Sequence, residues 1–250
     1  MIARCGWCGS AFVRVNGTYW CPTETCRNRQ AELQIKIQDT PFYVPLPKQI
    51  DLELAPVRFL LGGGAAGASK SHMARYGLYR RALNIPGFEA LILRRTWDEL
   101  KKHHLRLMES EAAKLRALGL HAEYARTDRE FRLHFPDGST SIIEGGHMEN
   151  PVDVDKYLSR ERDAIVCDEG STFDPQKLLE LSTLARSAKP AVEAFARDLW
   201  GIPTGRIPGG GAVFWVLSNT GGPAAPMLRD FFIDHTPDFG EYPQLRELDS

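Results

Sequence analysis

Short, nearly continuous apolar runs alternate with longer stretches of helical composition along most of this chain. Val57 to Leu61, Glu89 to Arg94, Asp163 to Glu169 and Ala212 to Leu217 are too short for helices and rich in branched and aromatic residues. Such runs read as strands buried on both faces of a parallel sheet. Between the first two, His72 to Leu83 has helical composition without proline, and Asn84-Ile85-Pro86-Gly87 supplies a turn. Trp97 to Leu118 reads as one long helix: Leu105, Met108, Ala112 and Leu115 recur at helical spacing and should face the core, and Gly119 ends it. Lys101, Lys102, His103 and His104, on its early turns, have two readings: a solvated face, or a group that meets phosphates. Glu130 to Phe135 and Thr140 to Ile143 alternate around Pro136-Asp137-Gly138-Ser139, which predicts a β-hairpin. Gly201 to Gly211, rich in glycine and proline, reads as a mobile loop. The predicted fold class is α/β, with a mainly parallel central sheet flanked by helices.

The first 30 residues follow another pattern. Ala11 to Val15 and Thr18 to Trp20 are β-prone and flank Asn16-Gly17, a strong hairpin signal. Cys5 and Cys8 precede this hairpin with two residues between them, and Cys21 and Cys26 follow it with four. Two thiolate pairs held at the ends of a hairpin give tetrahedral S₄ coordination, which suits structural Zn²⁺ and leaves no open catalytic position. Trp7, Phe12, Tyr19 and Trp20 argue against a disordered tail of free thiols. Arg4, Arg14, Arg27 and Arg29 offer a modest basic surface; DNA docking, protein docking and a purely structural appendage all remain open. Arg27 to Lys36 looks helical or linker-like, and three prolines should keep Thr40 to Gln49 extended. The organisation expected is a zinc ribbon at 1–30, a linker segment at 31–56 and the α/β domain at 57–250.

Composition adds limits rather than direction. Of 250 residues, 43% are hydrophobic and 25% charged, as in an ordinary soluble globular protein. Thirty-one basic residues against 32 acidic ones give a net charge of −1, so any DNA contact must come from local basic patches. No apolar run approaches membrane-spanning length and no signal-peptide core opens the chain, so no membrane association is expected. A reducing, intracellular setting is the default, and disulfides are not expected.

The chemistry gathers where strands end. Gly62-Gly63-Gly64-Ala65-Ala66-Gly67-Ala68-Ser69-Lys70-Ser71 joins the first apolar run to the first helix. Strand, glycine turn, Lys-Ser and helix are the parts that hold a triphosphate. Loop N–H groups, those of Gly64, Gly67, Ala68 and Ser69 among them, wrap the phosphates, aided by the helix N-terminus. Lys70 reaches the outer phosphates and the Ser71 hydroxyl ligates Mg²⁺. Against the pattern G-x-x-x-x-G-K-[ST], Gly64, Lys70 and Ser71 fit, but Ser69 stands where the second glycine belongs. A serine there still donates its N–H, at a cost if the site demands a left-handed backbone.

The third apolar run ends in Asp168-Glu169, the order an ATP-hydrolysing P-loop protein requires. Asp168 would hold Mg²⁺, directly or through water, and Glu169 would polarise the attacking water as general base. Ser218 and Asn219 end the fourth run, where a polar side chain can touch the γ-phosphate and report nucleotide state. Gln49, just ahead of the first strand, has two readings: an amide that pairs with the adenine edge, or a surface glutamine. Cys167 reads as a packed core thiol, and His147 as a loop histidine without partners, with a metal role as its other reading.

From about Pro45 onward, this ordered set resembles the phage terminase large subunit, the motor that packages DNA into proheads. Gln49 is similar to that family's adenine motif, and Gly62 to Ser71 to its often deviant Walker A loop. Leu91-Ile92-Leu93-Arg94-Arg95-Thr96 with Glu99-Leu100 resembles its next strand and helix. Tyr157, Ile165 to Glu169 and Phe173 resemble Walker B and its flank, and Ser218-Asn219 with Gly221-Gly222 the coupling motif. The resemblance implies a P-loop NTPase of the additional-strand, catalytic-glutamate (ASCE) class. It would couple Mg²⁺-dependent ATP hydrolysis to translocation of double-stranded DNA. It also implies a homo-oligomeric ring on a phage portal, a terminase small subunit as partner, and a prohead in the host cytoplasm as the place of work. Such rings take an arginine from a neighbouring subunit; Arg160, Arg162, Arg94 and Arg95 are candidates, each with a surface arginine as its other reading. The chain departs from the family in Ser69, in the zinc ribbon, and in stopping at Ser250 before any nuclease domain, so no DNA cleavage is expected of this polypeptide. Two alternatives stand beside the motor: a helicase-like or other DNA-dependent ATPase, and a non-hydrolysing nucleotide- or DNA-binding assembly module whose loop Ser69 has spoiled.

Overall fold

The computed structural model describes residues 13–15, 18–20, 35–37, 40–43, 45–63, 69–200 and 207–234. Strands β1 (Val13–Val15) and β2 (Thr18–Trp20) pair antiparallel with Val13 opposite Trp20, as the hairpin reading requires. Cys5, Cys8, Cys21 and Cys26 lie outside the described residues, as do Gly64, Gly67 and Ala68 of the glycine loop. A second antiparallel pair joins β3 (Ile35–Ile37) to β4 (Thr40–Tyr43). This corrects the helical or linker reading that reached Lys36: Ile-Lys-Ile alternates with a period of two and carries β-branched residues. Nor is Thr40 to Gln49 extended throughout. Helix α1 (Pro47–Leu54) begins inside it, with Pro47 in the first turn, where a missing N–H costs nothing.

The main sheet contains β5 (Phe59–Gly62), β6 (Glu89–Arg94), β7 (Ala122–Ala125), β8 (Glu130–His134), β9 (Thr140–His147), β10 (Ala164–Asp168) and β11 (Val213–Leu217). Its seven strands run in the order β5-β11-β10-β6-β9-β8-β7. The first five are mutually parallel, and β8 and β7 are added antiparallel at the far edge. Strand β11 is therefore inserted between β5, which leads into the glycine loop, and β10, which delivers Asp168.

Helices cover both faces, so β10 and β11 are buried along their whole length. On one side lie α2 (Lys70–Asn84), a helical stretch over 97–117 and α6 (Pro190–Trp200). There Met73, Tyr79, Met108 and Val192 pack on Ile92, Val166 and Trp215. On the other lie α5 (Pro175–Ser182) and α7 (Ala225–Phe232), where Leu181 and Leu228 pack on Leu93, Cys167 and Val216. Alternate residues of each strand thus serve opposite cores, as the period-two geometry demands.

The stretch over 97–117 is not one regular helix. It consists of α3 (Trp97–Leu100), a π-helical segment Lys101–Leu105 and α4 (Arg106–Ala117). Among its early polar residues Lys101 and Lys102 are exposed, but His104 is fully buried, which corrects the solvated-face reading. The stretch Gly201 to Gly211 is described only from 207, and Pro208–Gly211 forms a 3₁₀ turn.

Helices α1 and α2 are fastened by charge. Glu53 accepts a 2.6 Å hydrogen bond from Arg81, whose guanidinium lies 4.7 Å over the Trp215 ring. Gly77 makes room for this: a Cβ there would meet the Trp215 ring at 2.5 Å and Glu53 Oε2 at 2.8 Å. Arg81 and Glu53 are both buried, so removing one strands the other. Glu53→Ala is expected to destabilise the domain by about 3–5 kcal/mol, read as a lower urea midpoint at unchanged slope; a loss below about 1 kcal/mol would show the pair to be solvated.

Candidate active site at the strand ends

Parallel strands carry their loops at their carboxyl ends, and there the sheet order brings together residues distant in sequence. Asp168 closes β10 and is 1% exposed. Its Oδ2 accepts from the Ser71 hydroxyl at 2.6 Å, from Arg94 Nη2 at 2.8 Å and from Arg94 Nε at 3.0 Å. His104 Nε2 lies 2.9 Å from the same oxygen. Burial alone would raise this carboxyl; His104, Arg94 and the Ser71 hydroxyl outweigh it and hold it well below the usual carboxylate range. Burial pushes the His104 imidazole below its ordinary value, against the pull of Asp168. Asp168 Oδ1 is buried and finds no hydrogen-bond partner among the described residues.

Lys70 and Ser71 open α2, with Ser69 as its N-cap. Lys70 Nζ donates to Asn219 Oδ1 at 2.7 Å, across the end of β11. Ser69 has φ 54° and ψ 29°, the left-handed conformation that the glycine of the pattern would supply without strain. Glu169 also has a positive φ, 57°; its side chain is 35% exposed and stands 3.5 Å from Arg94 Nη2. A cavity of about 400 Å³ is lined by Lys70, Ser71, Arg94, Asp168, Glu169 and Asn219 among others. Ser218 is turned away from it. Its hydroxyl accepts from the Ser171 N–H at 3.1 Å and donates to the Asn219 carbonyl at 2.9 Å, and its N–H donates to the Gly62 carbonyl at 3.0 Å.

Gln49 is 5% exposed, which removes the surface reading. Its amide donates to the Ser69 carbonyl at 3.2 Å and accepts from the Leu46 N–H at 2.8 Å and from the Tyr43 hydroxyl. Beside it, Tyr43, His72 and Tyr76 line a second cavity of about 280 Å³, with Glu111 on its wall. Tyr43 stands between two rings, His72 and Tyr76, each at a centroid distance of 4.4 Å. The two cavities share His72, Arg75 and Leu107.

Of the four arginines considered for a neighbouring subunit, two are spent internally. Arg94 is buried on Asp168, and Arg162 is buried and donates to Glu144 at 2.6 Å. Arg160 is half-exposed and 3.3 Å from Glu89, and Arg95 is exposed. His147 closes β9, not a loop, and its Nδ1 is buried with no hydrogen-bond partner among the described residues. Cys167 is a fully buried core thiol, as expected. The sequence reading missed His104 and the buried Arg75–Glu111 pair, joined at 3.0 Å. A signal existed: Leu100, His104, Met108, Glu111 and Leu115 follow one stripe at spacings of three and four.

The fit to Mg²⁺ can be judged from the oxygens alone. Ser71 and Asp168 form a hard-oxygen pair with one orphaned carboxylate oxygen, and no group of three His, Cys, Asp or Glu side chains arranged to hold a metal occurs among the described residues. Mg²⁺ keeps waters and substrate phosphates for its other positions, so a sparse protein set suits it.

No protein-family model and no curated protein matches this chain. Among solved structures, the large terminase from a thermophilic bacteriophage, in complex with ADP, superposes with a TM-score of 0.54 at 13% identity, over 76% of this chain and 43% of that one. A second crystal form of that protein gives 0.51 at 13% identity, over 78% and 43%. These likenesses show a shared fold. This chain spans less than half the length of that terminase.

Ser69 offers a direct test of backbone strain at the loop exit. Ser69→Gly is expected to gain up to about 1 kcal/mol, left-handed relief outweighing the added freedom of the unfolded chain, whereas β-branched Ser69→Val loses more than that. Urea midpoints that move in the same direction in both variants would show that the position is not left-handed in solution.

Proposed function

We propose that this chain is the ATPase part of a viral DNA-packaging motor of the terminase large-subunit type, hydrolysing ATP with Mg²⁺ and coupling it to movement along double-stranded DNA. One observation carries the ATPase reading. The 2.6 Å bond from Ser71 to Asp168 spans the inserted strand β11 and closes one cavity on which Lys70, Glu169 and Asn219 also stand. The order of motifs along the chain and the fold shared with the thermophilic phage's terminase support the packaging reading.

Ser71 and Asp168 would hold the Mg²⁺, which when bound neutralises phosphate charge and orients the γ-phosphate. The loop N–H groups and the start of α2 bind the phosphates. Lys70 leaves Asn219 for the phosphate oxygens, and Asn219, freed by that exchange, registers nucleotide at the end of β11. Glu169, beside the fixed Asp168 but open to the cavity, takes the proton of the attacking water. The aromatic cavity of Tyr43, His72 and Tyr76 suits a purine, with Gln49 joining it to the loop exit through Ser69. Ser218 acts here as a latch between β11 and the Walker B turn, not as a ligand.

The four N-terminal cysteines are proposed to bind structural Zn²⁺, supported by the β1–β2 pairing between them. A homo-oligomeric ring on a portal and a small-subunit partner belong to the same proposal, with Arg160 or Arg95 as the residue offered to the next subunit. The non-hydrolysing alternative rests on a spoiled loop; Ser69 already adopts the left-handed geometry of a glycine, which weighs against it.

Glu169→Gln is expected to lower ATP turnover by about 10²-fold or more while ATP binding persists. Lys70→Ala is expected to lose binding as well. Phosphate release by Glu169→Gln equal to that of the unaltered protein would reject the hydrolase reading. Turnover that double-stranded DNA leaves unchanged would reject the motor reading alone.

A further inference from the structure

We infer that His104 is a positioning residue for Asp168: it pins one carboxylate oxygen so that the other stays available to a divalent cation, and it ties that arrangement to the phosphate-loop helix through Arg75. The inference rests on the nucleotide-site reading above and adds to it a residue outside every motif that reading uses.

His104 lies in the π-helical segment Lys101–Leu105, and its ring is fully buried. A π turn has poorer backbone hydrogen bonding than an α turn and persists where the structure gains something from the altered side-chain direction. Here the gain is a specific contact. His104 Nδ1 faces Arg75 Nη1 at 3.5 Å. A carboxylate only accepts and a guanidinium only donates, so with Asp168 Oδ2 2.9 Å from Nε2 and Arg75 beside Nδ1, Nε2 carries the hydrogen and Nδ1 the lone pair. That hydrogen points to Asp168 Oδ2, 2.9 Å away.

Arg75 is itself held from several sides. Its Nη1 donates to the carbonyls of Ser71 and His103, both at 3.0 Å, and its Nε donates to Glu111 Oε2 at 3.0 Å. Tyr79 donates to the same Glu111 oxygen at 2.6 Å. Both Nη1 hydrogens are taken by the two carbonyls, so His104 rests against the held guanidinium by contact, and Asp168–His104 abuts the hydrogen-bonded group Arg75–Glu111–Tyr79. Together they run from the metal-binding position to the middle of α2 and touch the backbone of Ser71 on the way.

The consequence falls on the Asp168 carboxylate. Ser71, Arg94 and His104 all converge on Oδ2. Oδ1 is left without a partner among the described residues. Without His104, Ser71 and Arg94 still hold the group, but nothing restrains it from the side of the π segment. Loss of such a supporting contact typically weakens a metal site by about 10- to 100-fold without abolishing it.

The test compares His104→Gln with His104→Met in the full chain. The two side chains have similar length, and only Gln offers a donor at the reach of Nε2. The readout is the Mg²⁺ concentration that half-maximally enhances binding of a fluorescent ADP, with binding in excess chelator as the control. His104→Met is expected to raise that concentration about tenfold or more and to leave metal-free ADP binding unchanged. His104→Gln is expected to stay within about threefold of the unaltered protein. An unshifted Mg²⁺ requirement in folded His104→Met overturns the inference, as does an equal shift in both variants. Should His104→Met fail to fold, folded His104→Gln decides alone: a tenfold rise overturns the inference and a rise within threefold supports it. Absence of ADP binding by the unaltered protein would instead defeat the nucleotide-site reading.

Discussion

A carboxylate taken out of water costs several kcal/mol unless its charge and lone pairs are met. Asp168 is buried at the end of β10, and what meets it comes from separate parts of the fold: Ser71 from the start of α2, Arg94 from the end of β6 and His104 from the π segment. These partners lie 64 to 97 residues away in sequence. The buried charge therefore acts as a constraint on assembly. Strand β10 cannot be covered by its helices unless α2 and β6 arrive in register, so the fold that satisfies Asp168 is also the fold that builds the cavity.

Sheet order turns that constraint into a cavity. Adjacent strands stand about 4.8 Å apart, so one inserted strand separates the ends of β5 and β10 by about 10 Å. That gap is narrow enough for Ser71 and Asp168 to meet across it. The inserted strand is also wired to both sides. Ser218 joins its end to Gly62 and to Ser171, and Asn219 holds Lys70. The end of β11 thus has one contact at the rim of the cavity, Asn219 with Lys70 at the start of α2, and one buried latch at Ser218.

Most of the sheet was legible in the sequence because buried parallel strands are marked by composition alone. Ala164 to Asp168 and Val213 to Leu217 are almost uninterrupted apolar runs, and each forms the strand expected. The hairpin of β8 and β9 was marked by alternation around a Pro-Asp-Gly turn. Helix α2 was marked by what precedes it. The parts that escaped are those where tertiary contacts override local pattern. β7 (Ala-Glu-Tyr-Ala) has little strand character and exists because β8 offers it an edge. The π segment reads as charged helix surface, since Lys101, Lys102 and His103 precede the one histidine that turns inward. Gln49 was found from position, but its helix was hidden by prolines that read as extended chain until Pro47 proved to be a first-turn residue. Of the residues singled out in the sequence, Lys70, Ser71, Asp168, Glu169 and Asn219 line one cavity, whereas Ser218 does not. The wiring of that cavity, in particular Arg94 on Asp168 and Lys70 on Asn219, was not legible, because nothing local distinguishes an arginine that pairs inward from one that meets solvent.

Asp168 and Glu169 show how far environment divides two neighbouring residues of like chemistry. The first ends a strand, is 1% exposed at the wall of the cavity and has one oxygen committed to three partner residues. The second adopts a left-handed backbone at the very next position, which turns its side chain out of the sheet and leaves it about one-third exposed. A fixed carboxylate suits a metal, whose geometry tolerates little motion. A more open one suits proton transfer, which needs access to water and freedom to approach it. The backbone reversal at Glu169 is strained for a residue with a Cβ, and such strain persists where the surroundings over-determine it. Here the over-determination is visible: the Glu169 carbonyl accepts from the Thr172 hydroxyl at 2.7 Å and the Thr172 N–H at 2.9 Å, closing the turn beneath it. The more open acid is thus carried on a tight turn, beside a buried one.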